Sequence, residues 1–218
     1  MKLRLFLDSA DPQAWREWLP SGLFHGITTN PTLLKRAGQP CDLATLRGLS
    51  QEALGHGVQE LHLQAWGDDL LRCGSALAEL APGRIWVKLP ITQAGALAAS
   101  RLIAQGVPIT FTACYEPAQV LLAAALGADY IAPYLGRISD QGRNGHAELA
   151  RMQRCLNGLS APGEPPALRL LVASLRQRDD LARLAAAGLN TFTISPAIAE
   201  SLFAVEPDRK STRLNSSH

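Results

Sequence analysis

Short apolar segments alternate with longer segments of helical spacing along most of this 218-residue chain. Eight segments have the length and composition of buried strands, namely 3–7, 26–28, 60–63, 85–89, 108–111, 130–132, 168–173 and 191–194. Strands that alternate with helices form a parallel sheet with right-handed crossovers. Eight such units in about 200 residues predict an α/β fold, a closed (β/α)8 TIM barrel at its small limit. An open doubly wound sheet is the alternative, although no GxGxxG motif follows the first strand.

The sequence predicts a single domain. No linker-like segment divides residues 1–205, so we expect them to form one barrel. The C-terminal residues 206–218 differ, because the stretch RKSTRLNSSH is polar, has one apolar residue and shows no periodicity. We expect this tail to be disordered, and its composition is compatible with a non-native origin.

Composition excludes several classes of protein. The 47% of hydrophobic residues suffices for a large core, and the formal net charge is only +2. Basic residues form no run with interleaved aromatics, so nucleic acid is not an expected partner. The N-terminal apolar run is too short for a signal peptide, and the stretch 120–128 is too short to span a membrane, which predicts a soluble, cytoplasmic protein. The four cysteines form no CxxC pair, which argues against a metal site and favours reduced thiols.

One ammonium group lies inside an apolar strand pattern. Lys88 occurs in the run IWVKLP, and lysine is seldom fully buried unless it is paired or chemically used. Burial disfavours the charged form, and the resulting neutral amine attacks carbonyl groups to form Schiff bases. The run by itself favours a strand-end lysine that reaches water or pairs with a carboxylate. The interpretation therefore depends on which residues surround Lys88.

Polar residues end nearly every predicted strand. In chain order they include Asp8, Thr28, Asn30, Gln64, Thr112, Tyr134 and Ser174. The C-terminal ends of barrel strands carry the active site in barrel enzymes. Each residue alone has a structural explanation, such as a helix N-cap near Asp8 or a turn at Asn30. Their convergence on one barrel mouth together with Lys88 favours a catalytic site.

Schiff-base chemistry on a ketone requires these groups. An amine must add to the ketone, lose water and serve as an electron sink while a carbon–carbon bond breaks. Asp8 can accept and return a proton at the hydroxyl next to that bond, and Asn30 and Ser174 can fix substrate hydroxyls. The side chains that can hold a water molecule for proton transfer are Gln64, Thr112 and Tyr134.

Two arginines predict an anion site at the same mouth. Arg137 follows the sixth strand, and Arg176 follows the seventh, two residues after Ser174. Guanidinium groups suit phosphate, and barrels often bind phosphate near the later strands. A solvated helix start is the alternative explanation for Arg176.

Four motifs resemble the small transaldolase-like proteins, and within them the fructose-6-phosphate aldolase group. They are LDSAD at 7–11, TTNP at 28–31, VKLP at 87–90 and APYLGRI at 132–138, and the resemblance covers nearly the whole chain. It implies a class I aldolase barrel that uses neither a metal nor an organic cofactor. In that family pattern Lys88 is the Schiff-base lysine and Asp8 the acid/base residue, while Thr28 and Asn30 bind substrate hydroxyls. The implied phosphate ligands are Arg137, Ser174 and Arg176.

Gln64 and Tyr134 distinguish subgroups within this resemblance. Transaldolases of the superfamily typically carry glutamate and phenylalanine at these two positions. The pair found here implies reversible cleavage of fructose 6-phosphate to dihydroxyacetone and glyceraldehyde 3-phosphate, because a tyrosine hydroxyl that helps to protonate the enamine favours release. A transaldolase of the pentose phosphate pathway is the alternative, and a non-catalytic sugar-phosphate-binding barrel is the third hypothesis.

The resemblance also implies partners. Sugar phosphates and small hydroxyketones are the expected ligands, and a homo-oligomer, decameric in the aldolase group, is the expected assembly. Relatives continue into a helix that reaches a neighbouring subunit, whereas this chain has residues 209–218 in its place. The sequence therefore predicts an oligomer without defining its size.

Overall fold

The computed structural model describes residues 2–161 and 163–204, so the predicted tail at 206–218 lies outside the described residues. Its eight parallel strands are β1 (Arg4–Asp8), β2 (Phe24–Thr28), β3 (Glu60–Gln64), β4 (Ile85–Pro90), β5 (Ile109–Cys114), β6 (Tyr130–Pro133), β7 (Arg169–Leu170) and β8 (Thr191–Ile194). Neighbouring strands follow the order β7-β6-β5-β4-β3-β2-β1-β8. The described chain is therefore a single-domain (β/α)8 TIM barrel, as the alternating pattern predicts.

Backbone hydrogen bonds between the ends of this strand order close the barrel. The Val172 nitrogen donates to the Thr191 oxygen over 2.9 Å, and the Thr193 nitrogen donates to the Val172 oxygen over 2.9 Å. This single bridge after β7 joins the strand to β8. The open doubly wound alternative is wrong, because such a sheet would leave these two edges unpaired.

In the part of the chain that the structure describes, ten α-helices connect or follow the strands. They are α1 (Pro12–Trp18), α2 (Pro31–Arg36), α3 (Leu43–Gly55), α4 (Leu70–Ala78), α5 (Gln93–Ala104), α6 (Pro117–Leu126), α7 (Leu135–Asp140), α8 (Gly145–Leu159), α9 (Arg178–Ala186) and α10 (Pro196–Phe203). Most begin at a side chain that accepts a backbone N–H of the first turn, as Asp11, Asp42 and Thr92 do. No helix of the described residues is long and apolar enough to cross a membrane.

The structure departs from the predicted elements in two places. Helices α2 and α7 are additional short helices directly after β2 and β6, because Asn30 and Tyr134 end their strands at helix N-termini. The predicted strand 168–173 is regular only over Arg169–Leu170. Beyond that point, Val172 bonds to β8 while Leu171 and Ala173 donate to β6, which interrupts the regular ladder.

Strand side chains alternate between two different environments. Outward side chains pack under the helices in the main apolar core, as Leu7, Val87 and Phe111 do. Inward side chains fill the barrel, where Phe6 and Tyr130 form a smaller apolar cluster. Gly26 makes room for this filling, since a Cβ there would lie 2.7 Å from the Phe6 ring. The remaining interior positions are mostly polar.

Candidate active site

A cavity of about 570 Å³ opens at the C-terminal ends of the strands. Nine of the predicted site residues line it: Asp8, Thr28, Asn30, Gln64, Lys88, Thr112, Tyr134, Arg137 and Ser174. They come from strands β1 to β5 and from the segments that follow β2, β6 and β7. The structure thus brings together residues that lie up to 166 positions apart in the sequence, from Asp8 to Ser174.

Lys88 projects into this cavity from β4 and is only 6% exposed. Its neighbours in the strand register are Gln64 on β3 and Thr110 on β5. The Nζ atom donates a hydrogen bond to the Thr29 carbonyl oxygen over 2.7 Å. Burial lowers the pKa of Lys88 to about 8, although the nearby Asp8 opposes this effect. Roughly a tenth of the amine is therefore neutral at pH 7, far more than for an exposed lysine.

Asp8 is oriented by two threonine hydroxyls. Thr28 Oγ1 donates to Asp8 Oδ1 over 2.6 Å, and Thr193 Oγ1 lies 2.6 Å from Thr28 Oγ1. Since the Thr28 proton is used on the carboxylate, Thr193 is the donor in the second bond. Burial raises the pKa of Asp8, while the charge of Lys88 and the Thr28 hydrogen bond act in the opposite direction. The carboxylate is consequently a stronger base than an exposed aspartate.

Gln64, Thr112 and Tyr134 surround Lys88 on the β3 to β6 side of the cavity. Thr112 Oγ1 lies 3.3 Å from the Leu89 carbonyl oxygen, to which it donates. Burial raises the pKa of Tyr134, and its contact with Thr112 opposes the shift. Tyr134 thus stays a protonated phenol at neutral pH, able both to donate and to accept a hydrogen bond.

Asn30 combines a structural contact with a place in the cavity. Its Oδ1 accepts the Leu33 N–H over 3.0 Å and caps α2. The amide nitrogen is the part of the side chain that this cap leaves for a ligand. The turn explanation for Asn30 therefore holds in part, because the residue starts a helix and also lines the cavity.

Arg137 and Ser174 line the cavity rim after β6 and β7. The Arg137 guanidinium lies 4.9 Å from the centre of the Tyr134 ring, and its Nη1 is 3.5 Å from the Tyr115 hydroxyl. Ser174 has a φ of 59°, in the left-handed region that non-glycine residues seldom adopt. Gly136 allows the Ser174 backbone to lie against the start of α7, because a Cβ at position 136 would lie 2.6 Å from the Ser174 carbonyl oxygen.

Arg176 does not line the cavity, in contrast to the other predicted phosphate ligands. Its Nη2 atom forms an ion pair with Asp140 at the end of α7, and both side chains are exposed. The Asp140 carboxylate therefore occupies one of the nitrogens through which Arg176 could bind a phosphate. The Arg176 Nε atom and the Ser174 Oγ both lie beside Gly136, at 2.7 Å and 3.0 Å from where a Cβ of that residue would be, so the phosphate contact predicted for Arg176 stays a prediction.

Thr193 and Arg36 are polar cavity residues that were not among the predicted site residues. Thr193 occupies an inward position of β8, two residues before Ser195, so the period-2 pattern of that strand could have identified it. Arg36 lies at the end of α2. No hydrophobic periodicity indicated Arg36, because the six-residue helix α2 was not among the predicted elements. Among the described residues, no group of three histidine, cysteine or acidic side chains could hold a metal ion.

Comparison with known sequences gives consistent matches. A family sequence model described as Transaldolase/Fructose-6-phosphate aldolase matches residues 63–217. The "Probable transaldolase" of Phenylobacterium zucineum (strain HLK1) is 31% identical over 204 residues, covering 92% of this chain and 89% of that protein. The "Probable transaldolase" of Caulobacter vibrioides (strain NA1000 / CB15N) is 30% identical over 201 residues, with the same coverage of both chains.

Solved structures agree in fold. Thiamine phosphate pyrophosphorylase from Pyrococcus furiosus superposes with a TM-score of 0.62 at 14% identity, covering 92% of this chain and 93% of its own. A structure described as native KDPGal gives a TM-score of 0.62 at 13% identity, with 97% and 89% coverage. At these identities the likeness concerns the barrel alone.

Proposed function

Because the chain belongs to the transaldolase/fructose-6-phosphate aldolase family, we propose that it is a class I aldolase. It reversibly cleaves fructose 6-phosphate to dihydroxyacetone and glyceraldehyde 3-phosphate. The observation that carries this proposal is the buried amine of Lys88, whose pKa is lowered to about 8 beside the carboxylate of Asp8. A neutral amine next to a basic carboxylate is the pair that Schiff-base cleavage of a hydroxyketone needs.

Each step of the cleavage uses residues of the cavity. The Lys88 amine adds to the C2 ketone, and loss of water gives a protonated Schiff base. Asp8 accepts the proton of the C4 hydroxyl, the C3–C4 bond breaks, and its electron pair moves to the iminium to form an enamine. Glyceraldehyde 3-phosphate leaves. The enamine takes a proton at C3, and hydrolysis releases dihydroxyacetone and the free lysine.

Gln64 and Tyr134 support aldolase activity over transfer. Together with Thr112 they present an amide and two hydroxyl groups near Lys88, which can hold the water that protonates the enamine. A protonated phenol at Tyr134 suits this step, and its raised pKa keeps it in that form. Rapid protonation releases the three-carbon unit before a second aldehyde can accept it.

Transaldolase activity is the second candidate. It is favoured by the relatives at 30–31% identity, whose names read "Probable transaldolase". The two reactions share every step up to the enamine and differ in what the enamine meets next. In a transaldolase the enamine attacks another aldose phosphate instead of taking a proton.

Two measurements test these proposals. Incubation with dihydroxyacetone and borohydride is expected to trap a covalent adduct on Lys88 and none in Lys88→Met. Release of glyceraldehyde 3-phosphate from fructose 6-phosphate is then measured with and without erythrose 4-phosphate. Cleavage without the acceptor supports the aldolase, and strict dependence on it supports the transaldolase. A Lys88→Met variant with normal activity would exclude both.

We further propose that the chain acts as a homo-oligomer. A contiguous apolar surface supports this proposal, because Leu121 on α6 and Leu159 on α8 are 45% and 60% exposed and line the same surface cavity. Sedimentation of the purified chain measures its assembly state directly, and a monomer at all concentrations would exclude the proposal.

A further inference from the structure

We propose that Arg36 binds the phosphate of the sugar-phosphate substrate, together with Arg137 on the opposite side of the cavity. This inference rests on the proposed function, since it concerns the ligand of the same site. It assigns to a residue of α2 a contact that the sequence pattern predicted for Arg176.

Helix α2 directs one face towards the cavity. Thr32, Leu33 and Arg36 line the cavity, and residues spaced by three or four positions lie on the same side of a helix. Lys35 and Arg36 are both exposed, but only Arg36 lines the cavity. The helix therefore presents one of these two cations to the site.

The barrel places Arg36 and Arg137 on opposite walls. Helix α2 follows β2 and helix α7 follows β6, and these strands are four positions apart in a closed ring of eight. Both guanidinium groups line the same cavity, and Asp8 is the only carboxylate among the described lining residues. The upper part of the cavity thus carries excess positive charge, as expected for an anionic substrate.

Arg36 lines the same cavity as Lys88 and Asp8, the two groups assigned to the reaction. Burial raises the pKa of Asp8, and the charge of Arg36 is among the effects that oppose the rise. In the proposed reaction Asp8 takes the proton of the C4 hydroxyl, and the phosphate is attached two carbons further along, at C6. The proposal therefore places the C6 phosphate in the part of this cavity that Arg36 lines.

The three arginines differ in the partners they already have. Arg176 is paired with Asp140, and Arg137 is stacked on Tyr134. Arg36 takes part in none of the ion pairs formed among the described residues. Its donors are thus available to a phosphate without the loss of an existing ion pair, whereas the Nη2 atom of Arg176 is shared with Asp140.

The test compares phosphorylated and unphosphorylated acceptors. Addition of dihydroxyacetone to glyceraldehyde 3-phosphate and to glyceraldehyde is measured for the Arg36→Gln variant and for the matched control Lys35→Gln. We expect Arg36→Gln to lower kcat/KM for the phosphorylated acceptor by about 10- to 100-fold, mainly through KM, and by less than about 3-fold for glyceraldehyde. Arg36→Lys should recover part of the loss, because it keeps the charge but not the fork. Lys35→Gln should match the unaltered protein with both acceptors.

Two outcomes would overturn the assignment. One is an equal effect of Arg36→Gln on both acceptors, and the other is a phosphate-specific loss in Arg176→Gln that Arg36→Gln does not show. Borohydride trapping with dihydroxyacetone, which carries no phosphate, separates this inference from the proposed function, because a protein that forms no adduct lacks the chemistry itself. In that case thermal stabilisation by inorganic phosphate decides: it is expected in the unaltered protein and lost in Arg36→Gln, and equal stabilisation of both rejects the role of Arg36.

Discussion

The barrel interior contains two polar clusters, and they differ in how many hydrogen bonds their charged groups form. The upper cluster is Asp8 and Lys88 at the cavity. The lower cluster lies towards the N-terminal ends of the strands and consists of Arg4, His25, Glu60, His62 and Tyr130. Both clusters are buried in the same barrel, so the difference between them comes from their hydrogen bonds.

In the lower cluster both carboxylate oxygens of Glu60 have hydrogen-bond partners. Glu60 Oε1 accepts from Arg4 Nη1 over 2.8 Å and from the Tyr130 hydroxyl over 3.0 Å, and it lies 2.8 Å from His25 Nε2. Glu60 Oε2 lies 3.1 Å from His62 Nε2. Burial acts to raise the pKa of Glu60, but these bonds outweigh it and lower the pKa to about 2. Burial lowers the pKa of His62 to about 4, which keeps the imidazole neutral.

The upper cluster leaves its charges less satisfied. Lys88 donates to one carbonyl oxygen, and Asp8 accepts from one hydroxyl. Burial therefore moves both groups towards their neutral forms, with the pKa of Asp8 raised and that of Lys88 lowered to about 8. A saturated buried charge is stable and inert, whereas an incompletely satisfied pair can exchange protons with a substrate.

Removal of the upper carboxylate is expected to have the largest effect. Asp8→Asn should lower kcat for cleavage by about 10²- to 10⁴-fold, because the C4 hydroxyl loses its base. It should also lower the pKa of Lys88 further, since the Asp8 charge raises it. The pH profile of borohydride trapping measures this shift, and its midpoint should move below about 8. The matched control is Asp42→Asn at the N-cap of α3, because asparagine caps as well as aspartate. An unchanged midpoint in Asp8→Asn would contradict the coupling of the two groups.

Removal of the lower carboxylate should change stability instead of chemistry. Glu60→Gln is expected to cost about 3 kcal/mol in the free energy of unfolding, because Arg4 loses its ion-pair partner. Urea unfolding measures this loss, and trapping on Lys88 should proceed as before in the folded fraction. A catalytic defect in fully folded Glu60→Gln would show that the two clusters are not independent.

The pH dependence of stability tests the two ionisable groups at the centre of the lower cluster, Glu60 and His62. Folding lowers the pKa of Glu60 from about 4.5 to about 2, so its contribution is complete above pH 4.5 and is lost as the pH falls towards 2. Folding lowers the pKa of His62 from 6.5 to about 4. Protonation of this imidazole therefore favours the unfolded state, and stability is lost as the pH falls from 6.5 to 4. His62→Gln should abolish the loss between pH 6.5 and 4, and Glu60→Gln should abolish the loss below pH 4.5. Unfolding free energies between pH 7 and pH 3 measure both, and variants that keep both windows would refute the assignment.

A pair of threonines offers the smallest and most selective comparison. Next to the upper cluster, Thr193 donates to Thr28. Next to the lower cluster, Thr110 Oγ1 lies 2.9 Å from His62 Nδ1. Thr193→Val should lower kcat by about 10-fold by loosening Asp8, and Thr193→Ser should restore it. Thr110→Val should cost about 1 kcal/mol of stability with less than about a 3-fold change in kcat. The opposite pattern would mean that Thr110 positions Lys88.

Much of the site follows from local pattern, because inward strand positions repeat every two residues. Gln64, Lys88 and Thr112 occupy such positions, so their approach to one mouth could be predicted once the barrel was assumed. Asp8, which ends β1, follows the same rule. The roles proposed for these residues await the measurements described above.

The arginines show where local pattern fails. Arg176 lies two residues after Ser174 and was expected at the mouth, but its long side chain turns to Asp140. Arg36 reaches the cavity from a short helix whose six residues carry little periodic signal. The direction of a flexible side chain beyond a strand end depends on charges that are distant in sequence.

The barrel and its polar strand ends could be predicted from the sequence, because alternation and periodicity are properties of neighbouring residues. The ionisation of the two interior clusters depends instead on contacts between distant strands. Glu60 and Asp8 are both carboxylates that terminate or begin an interior strand, and no local pattern distinguishes them. Glu60 is bonded by residues from β1, β2, β3 and β6, while Asp8 receives one hydroxyl and faces an amine. The pKa of a buried group depends on this set of partners, which only the closed barrel brings together.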